Sequence, residues 1–390
     1  MDTSLANAVK AAVSPQRLTD TALALVAIPS PTRSAGPVAD ELARILTADG
    51  FELERPVADW PEAPAVVTRL DSGSPGRILQ FDGHLDTVHL PFIPARLEDG
   101  VLYGSGASDM KGGVAACVEA LRALRETGAL TNGQVLLTTH DHHEGPWGDR
   151  RQLKALIREG YVGDGVLLPE YLATPLPVAG RGQVIFEVRV RRVGEPVHEV
   201  LQPPGTPNVL MAGAELALRL RALHERLQRH THAHAGADSC FVGRLSSGEI
   251  YNQVPVECML NGTRRWVQAG TVEAVRAEFE QLLAELARDT GTQVELDFSI
   301  SGDAFAISPA DPLVAAFQTA HQAATGAPLP LGGKPFMDDG NTFVALAGIP
   351  ALTHGPAATG AHTLDERVSL DELVRVAQVY ALTALAYCAA

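Results

Sequence analysis

The sequence predicts an α/β fold in which a domain with a mostly parallel sheet is interrupted by a small α+β sandwich. Three observations predict it. Apolar strands alternate with amphipathic helices as far as Gly180. Beyond that residue the strands alternate apolar with polar residues, which is typical of a sheet with one wet face. From Ile300 the α/β character returns. We therefore expect domain segments at 1–180, 181–299 and 300–390, the first and last forming one domain.

The first segment contains five predicted elements. In chain order they are a helix at 17–28, strand-like runs within 66–81, a helix at 110–126, and strands at 133–139 and 166–170. The second helix carries an apolar stripe at helical spacing, and Asp109 stands at its expected N-cap. Polar residues directly follow several of these strands, at the edge where open α/β sheets bind ligands.

The inserted segment has the order strand-helix-strand-strand-helix-strand, which suits a sheet with both helices on one face. The predicted elements are a strand at 184–190, a helix at 208–229, strands at 241–245 and 256–266, a helix at 272–288 and a strand at 293–299. In the first strand Val184, Phe186, Val188 and Val190 form the apolar face. The histidine run at 230–234 follows the first helix, and we expect a solvated loop there.

The composition disfavours two classes of partner. The chain of 390 residues has a formal net charge of −15, which argues against nucleic acid and anionic membrane surfaces. No apolar run reaches the length of a membrane span. The 4 cysteines are far apart, so neither a disulfide framework nor a cysteine zinc site is expected. Because the first residues lack the regions of a secretory signal, we expect a cytoplasmic protein.

Three segments carry a family resemblance. They are 81–88 (FDGHLDTV), 104–113 (GSGASDMKGG) and 141–148 (DHHEGPWG). They resemble the metal-binding segments of the dinuclear zinc hydrolases that include glutamate carboxypeptidase, acetylornithine deacetylase and succinyl-diaminopimelate desuccinylase. The resemblance covers nearly the whole chain, and it implies that the inserted segment is a lid domain within a catalytic domain.

The resemblance implies a ligand set for two zinc ions per chain, with Co²⁺ or Mn²⁺ as alternatives. In this set His84 binds one ion, Asp109 bridges, Glu170 completes one site and His362 binds the other ion. Asp86 would hold the ring of His84 from behind and fix its tautomer. Imidazole and carboxylate groups that arrive from separate loops are the ligands such a centre needs.

The third segment departs from the family pattern, in which Asp-Glu-Glu supplies a general base and then a metal ligand. Aligned without a gap, His142 replaces the base and His143 replaces the ligand. Imidazole serves zinc well and can act as a base near neutral pH. A shift of one residue would instead bring Glu144 to the base or the ligand position. The sequence leaves both assignments open.

Three positions of the inserted segment resemble the family's substrate-handling residues. By this resemblance His198 stabilises the oxyanion at the scissile carbonyl, in some members across a dimer interface. Asn252 binds a carboxylate or carbonyl group, and Arg265 receives a substrate carboxylate, for which a guanidinium is suited. A homodimer through the inserted domain is therefore expected. Residues 338–341 resemble an Asp-containing strand of the family, without an assigned role.

The leading hypothesis is a metal-dependent amidohydrolase or carboxypeptidase-like enzyme. It would cleave a linear amide bond of an N-acyl amino acid or short peptide through a metal-bound hydroxide. One alternative is a non-hydrolytic reaction on the same scaffold: acyl transfer, amide formation or elimination. Another is a catalytically degenerate relative that binds a small molecule.

Overall fold

The structure, a computed structural model, describes residues 2–389 and divides them into two compact units. The first unit comprises residues 2–178, 307–333 and 338–389, and the second comprises Ala179–Ala306 and Lys334–Met337. The main segment of the second unit extends beyond the predicted boundary at 299, because its last long strand continues to Gly302. No described helix is both long enough and apolar enough to cross a bilayer.

Residues 2–389 form ten α-helices. They are α1 Thr3–Ala12, α2 Pro15–Val26, α3 Gly36–Ala48, α4 Lys111–Thr127, α5 Arg151–Arg158, α6 Val209–Leu227, α7 Val272–Thr290, α8 Pro312–Thr325, α9 Asp339–Ala347 and α10 Leu370–Cys388. A short 3₁₀ helix covers Glu199–Leu201.

The same residues form strands of two to ten residues. They are β1 Leu53–Glu54, β2 Val66–Asp71, β3 Ile78–His84, β4 Arg96–Glu98, β5 Val101–Tyr103, β6 Gln134–His140, β7 Gly165–Leu168, β8 Leu176–Gly180, β9 Gly182–Arg191, β10 Val197–His198, β11 Thr231–His232, β12 Gly236–Ala237, β13 Ser239–Ser247, β14 Gln253–Val254, β15 Glu257–Trp266, β16 Gln293–Gly302, β17 Phe305–Ala306, β18 Leu331–Gly333, β19 Ala351–Thr353, β20 Ala358–Thr359 and β21 Arg367–Ser369.

The first unit is built on a six-stranded sheet of order β1-β2-β6-β3-β7-β19. Strands β6, β3, β7 and β19 run parallel to one another, and β2 is antiparallel to both β1 and β6. Helix α4 packs against β3 as well as against α2 and α10. The predicted α/β domain with a mostly parallel sheet is confirmed, and the parallel strands bring their carboxyl ends to one edge.

The second unit is an α+β sandwich, as predicted. Its sheet has the order β13-β15-β9-β16 with antiparallel pairing throughout. The apolar face of β9, from Val184 to Val190, is fully buried and packs with α6 and α7 in one core. The histidine run forms a small hairpin of β11 and β12 rather than the expected loop.

Two local predictions in the first unit are wrong. The side chain of Asp109 does not cap α4, because the N-cap position belongs to Met110, which makes no capping hydrogen bond. Residues 339–347 form a helix and not a strand. Asp338 caps this helix by accepting from the amide of Gly340, and Gly348 ends it with φ of 67°, a left-handed conformation that glycine adopts readily.

Candidate metal centre

The parallel sheet positions the first group of candidate ligands. His84 is the last residue of β3 and lies in register with His140, the last residue of β6. Glu170 follows the end of β7 by two residues. All three side chains are buried. Because the carboxyl ends of parallel strands share an edge, residues distant in sequence converge there.

Glu366 holds the loop that carries Asp109. One of its carboxylate oxygens accepts from the amides of Ser108 and Asp109 at 2.8 and 2.9 Å, and the other accepts from the amide of Gly106 at 2.9 Å. The hydroxyl of Ser108 also donates to this carboxylate, at 3.0 Å. A buried carboxylate that satisfies several amides fixes the backbone of the loop, and so fixes the position of Asp109.

The carboxylate of Asp109 lies between two histidines. Its Oδ1 is 3.2 Å from Nε2 of His84, and its Oδ2 is 3.0 Å from Nε2 of His362. Glu170 extends the His84 side, with its Oε1 3.8 Å from Nε2 of His84. Glu144 extends the His362 side, with its Oε1 3.2 Å from Nε2 of His362. One carboxylate therefore separates two groups, each made of an imidazole and a further carboxylate.

The chemistry of this cluster fits two divalent cations. Nε2 of His84 and Oδ1 of Asp109 are buried, and neither makes a hydrogen bond of acceptable geometry despite their proximity. Burial raises the pKa of Glu170 and of Glu144, and the charge of Asp109 raises both further. A divalent cation would use the unpaired donor atoms and relieve the repulsion among the carboxylates.

Nearby carboxylates, Asp109 among them, raise the pKa of both histidines of the cluster. Hydrogen bonds to Asp109 and Glu144 raise the pKa of His362 to about 10. Burial acts to lower the pKa of His84, but the close contact with Asp109 and the charges of Glu170 and Asp86 raise it well above its ordinary value. The cluster thus attracts positive charge at both ends of Asp109.

The segment at 142–144 is shifted by one residue relative to the ungapped alignment, so that His143 and Glu144, and not His142 and His143, reach the cluster. Glu144 reaches His362, and Nε2 of His143 lies 3.7 Å from Oε1 of Glu170. His142 has φ of 72°, so the chain turns there. Its ring packs edge-on against Trp60 with centroids 4.4 Å apart, and its Nδ1 lies 3.4 Å from Oδ1 of Asp149. The structure therefore brings His143 and Glu144 to the centre and does not bring His142.

Asp86 explains this register. Its Oδ2 accepts from the amide of Glu144 at 2.9 Å and from that of His143 at 3.1 Å. Its carboxylate oxygen Oδ1 is 3.7 Å from Nδ1 of His84, whereas its main-chain carbonyl accepts from that nitrogen at 2.9 Å. Asp86 therefore orients His84, as expected, but through its main-chain carbonyl. Its carboxylate instead binds the main-chain amides of His143 and Glu144.

A second buried group, which no sequence motif indicated, lies behind the cluster. Nδ1 of His143 lies 2.7 Å from Oδ2 of Asp339, which is 3.4 Å from Nε2 of His140. Nε2 of His140 is also 3.2 Å from Oδ1 of Asp82. Burial acts to lower the pKa of His140, but Asp82 and Asp339 outweigh it and raise the pKa to about 9. The helix signals around Asp338 and Gly348 could have placed Asp339 at a helix start.

The three expected substrate residues all lie in the second unit. His198 belongs to β10, which pairs with β14, and its Nε2 is 3.1 Å from Nδ2 of Asn252. Arg265 is half-buried on β15, where burial and the charge of Arg181 lower its pKa. Its neighbour Arg264 is buried and paired with Asp238. Strand alternation therefore separates the two arginines onto opposite faces of the sheet.

The comparisons with known proteins agree with this fold. Residues 81–386 match the model of peptidase family M20/M25/M40. A succinyl-diaminopimelate desuccinylase from Cereibacter sphaeroides is 30% identical over 376 residues, covering 91% of this chain and 95% of that protein. The aminopeptidase PepT from Bacillus cereus has a TM-score of 0.81 at 19% identity, covering 96% and 99% of the two chains. The Bacillus subtilis YXEP protein, a dinuclear metal binding peptidase, has a TM-score of 0.70 at 16% identity, covering 95% and 97%.

The chain therefore belongs to peptidase family M20/M25/M40. It is a metal-dependent hydrolase that acts on an amide bond of an acyl amino acid or peptide. The leading hypothesis from the sequence is confirmed at this level, and the candidate ligand groups of the structure are consistent with a family that binds two metal ions.

Proposed function

We propose that two zinc ions bind in this centre and share Asp109. His84, Asp109 and Glu170 would hold one ion, and Asp109, Glu144 and His362 would hold the other. The single observation that carries this assignment is the position of Asp109, whose two oxygens face different imidazoles at 3.2 and 3.0 Å. Imidazole and carboxylate donors suit zinc, and Co²⁺ and Mn²⁺ remain alternatives.

The proposed role of each residue follows from whether its side chain faces the centre. When bound, the metals would polarise the amide carbonyl and activate a water molecule. His143 would accept the proton of that water at Nε2 and return it to the leaving nitrogen. Glu144 would be a ligand and not the base, because its carboxylate lies beside His362 and Asp109. The packing of His142 against Trp60 argues against a catalytic role for that residue.

The proposed substrate carries a free carboxylate. His198, Asn252 and Arg265 stay the candidates for handling it, with Arg265 receiving the carboxylate and His198 stabilising the oxyanion. The relatives support an N-acyl amino acid, because several are succinyl-diaminopimelate desuccinylases. A short peptide is the other candidate. An Arg265→Ala variant should raise KM for a carboxylate-bearing substrate at least tenfold while its zinc content stays unchanged.

Two further expectations accompany this function. A homodimer through the second unit is supported by β13, an edge strand of its sheet on which Phe241 is 64% exposed. Light scattering should give twice the mass of one chain, and Phe241→Lys should lower it. A cytoplasmic location stays a prediction.

A substrate screen tests the proposed reaction. Zinc-reconstituted protein would be incubated with N-succinyl and N-acetyl amino acids, dipeptides and tripeptides, and the free amine and acid would be quantified. We expect equal amounts of the two products from at least one substrate class, and none from a variant with both His84 and Asp109 changed to Ala. A product that retains the acyl group would instead support the non-hydrolytic alternative.

A further inference from the structure

Asp339 makes a short contact with the ring of His143, whereas the nearest oxygen of Glu170 is 3.7 Å from that ring's Nε2. It is the first residue of α9 and is 1% exposed. Its Oδ2 accepts from Nδ1 of His143 at 2.7 Å, and its Oδ1 accepts from Nε of Arg150 at 2.9 Å. Arg150 balances the charge of the buried carboxylate and donates a hydrogen bond to Oδ1. Oδ2 therefore accepts the hydrogen bond from His143.

This contact determines the tautomer of His143. An ionised carboxylate only accepts hydrogen bonds, so the proton of the neutral imidazole must reside on Nδ1. Nε2 then carries the lone pair, and it faces Glu170 at 3.7 Å. The ring is stacked on that of His84, with centroids 3.9 Å apart and planes 9° from parallel. Two independent contacts therefore fix both the plane of the ring and the nitrogen that can accept a proton.

A second layer holds Asp339 itself. Nε2 of His140 lies between Oδ2 of Asp339 and Oδ1 of Asp82, at 3.4 and 3.2 Å. The other oxygen of Asp82 accepts from the hydroxyl of Thr138 at 2.5 Å. The side chains of Asp82 and His140 are fully buried. A chain of alternating carboxylates and imidazoles thus extends from the sheet interior to His143.

We propose that Asp339 is a positioning residue for catalysis: it holds His143 in the tautomer and orientation in which Nε2 faces the metal centre, and the His140–Asp82 pair supports it from behind. This inference rests on the proposed role of His143 as proton acceptor. Groups that bind the far nitrogen of a metal-bound imidazole alter activity by about 10- to 100-fold when they are removed, and we expect a change of at least this size at a reacting imidazole. Asp339 is expected to act entirely through His143.

The first test observes the tautomer without any turnover. Long-range ¹⁵N–¹H spectra would be recorded on the wild-type protein with and without zinc. The His143 signals, among those of 13 histidines, would be assigned by their absence from His143→Gln. We expect protonated Nδ1 and unprotonated Nε2 in the zinc-free protein, and a mixture of tautomers in Asp339→Asn. A neutral His143 ring that carries its proton on Nε2 in the wild-type protein would overturn the proposal even if Asp339→Asn does not fold.

The second test is a double-mutant cycle on the zinc enzyme. Asp339→Asn should lower kcat by at least about 10-fold, with KM and zinc content nearly unchanged. In a His143→Gln background the same substitution should change kcat by less than about threefold, because the residue it positions is gone. Equal losses in both backgrounds, or loss of zinc from Asp339→Asn, would overturn the proposal.

A matched control separates positioning from damage to the helix. Asp338→Asn changes the neighbouring carboxylate, which caps α9 and accepts from Thr353. Its effect on kcat should be the same whether residue 143 is His or Gln. If the wild-type enzyme hydrolyses none of the substrates, the proposed function fails, whereas the tautomer measurement still decides whether Asp339 orients His143.

Discussion

Oε1 of Glu144 lies 3.2 Å from Nε2 of His362, although 218 residues separate them in sequence. This pair defines one side of the cluster, because the same imidazole nitrogen is 3.0 Å from Asp109. Under the proposed assignment, Glu144 is therefore the residue of the 142–144 segment that takes the position of the family's ligand glutamate. A glutamate is present at the centre after all, one residue later than an ungapped alignment expects.

The first prediction contrasts Glu144 with His142. Glu144→Gln should lower the activity of the zinc enzyme at least 100-fold, because an amide is a much poorer zinc ligand than a carboxylate. His142→Gln should retain activity within about threefold, since this side chain packs against Trp60 and not against the cluster. Steady-state kinetics on the same acyl amino acid would compare them. A larger loss of activity in His142→Gln than in Glu144→Gln would instead support the ungapped alignment.

The second prediction concerns Asp86. Asp86→Asn should lower kcat by about 10- to 100-fold. The Asp86 carboxylate accepts hydrogen bonds from the amides of His143 and Glu144, and these bonds hold both residues at the centre. An asparagine has one acceptor oxygen, and its NH₂ group would face an amide donor. The free energy of unfolding should fall by about 1–3 kcal/mol, measured by urea denaturation. Unchanged kcat in a folded variant would show that the backbone contact is dispensable.

The third prediction concerns Glu366, which holds the Asp109 loop. Glu366→Gln should weaken zinc binding and lower the free energy of unfolding by about 1–3 kcal/mol, because an amide cannot accept from three buried main-chain donors. Zinc titration and urea denaturation would measure the two effects. The matched control is Glu98→Gln, at a glutamate whose exposed side chain pairs with Arg96 and whose loss should cost less than about 1 kcal/mol. Equal effects of the two substitutions would contradict the role of Glu366.

The fourth prediction is a pH dependence of stability from His354. This histidine is fully buried, and its Nε2 accepts from Nη1 of Arg375 at 3.0 Å, so the folded state requires the neutral ring. Burial, then the charges of Arg375 and His321, hold its pKa well below the ordinary value of 6.5. The unfolded chain therefore binds a proton that the folded chain does not. The stabilisation is present above about pH 6.5 and is lost as the pH falls below it.

The His354 contribution can be isolated with one variant. Between pH 7.5 and 5.5 the free energy of unfolding of zinc-free wild-type protein should fall by about 1.4 kcal/mol more than that of His354→Gln, which does not titrate. Gln can still accept from Arg375. Urea denaturation at several pH values would measure the difference. Parallel pH profiles for the two proteins would mean that His354 is not held neutral.

The sequence predicted the features that depend on local pattern. The strands predicted within 66–81 and at 133–139, the helix after Asp109 and the alternating face of β9 are confirmed by the structure, although β3 and β6 extend further, to His84 and His140. The fold class followed from the alternation of strands and helices, and the hydrolytic class followed from the resemblance of the ordered motifs. These features depend on residues that are close in sequence, so a short segment is enough to predict them.

The features that depend on contacts distant in sequence were not predictable. The register at 142–144 is determined by hydrogen bonds to Asp86, more than 50 residues earlier. The environment of His143 depends on Asp339, which lies 196 residues later and begins a helix that was expected to be a strand. Neither relationship leaves a periodic signal, because each joins one side chain to one distant group.

The central claim is that Asp109 is shared by two metal ions. The most direct measurement is the zinc content per chain of untagged protein, reconstituted with zinc, dialysed and analysed by elemental analysis, alongside Glu144→Gln. We expect close to two zinc ions per chain in the wild-type protein and close to one in the variant. One ion or none in the wild-type protein would contradict the dinuclear centre, and two in the variant would contradict Glu144 as a ligand.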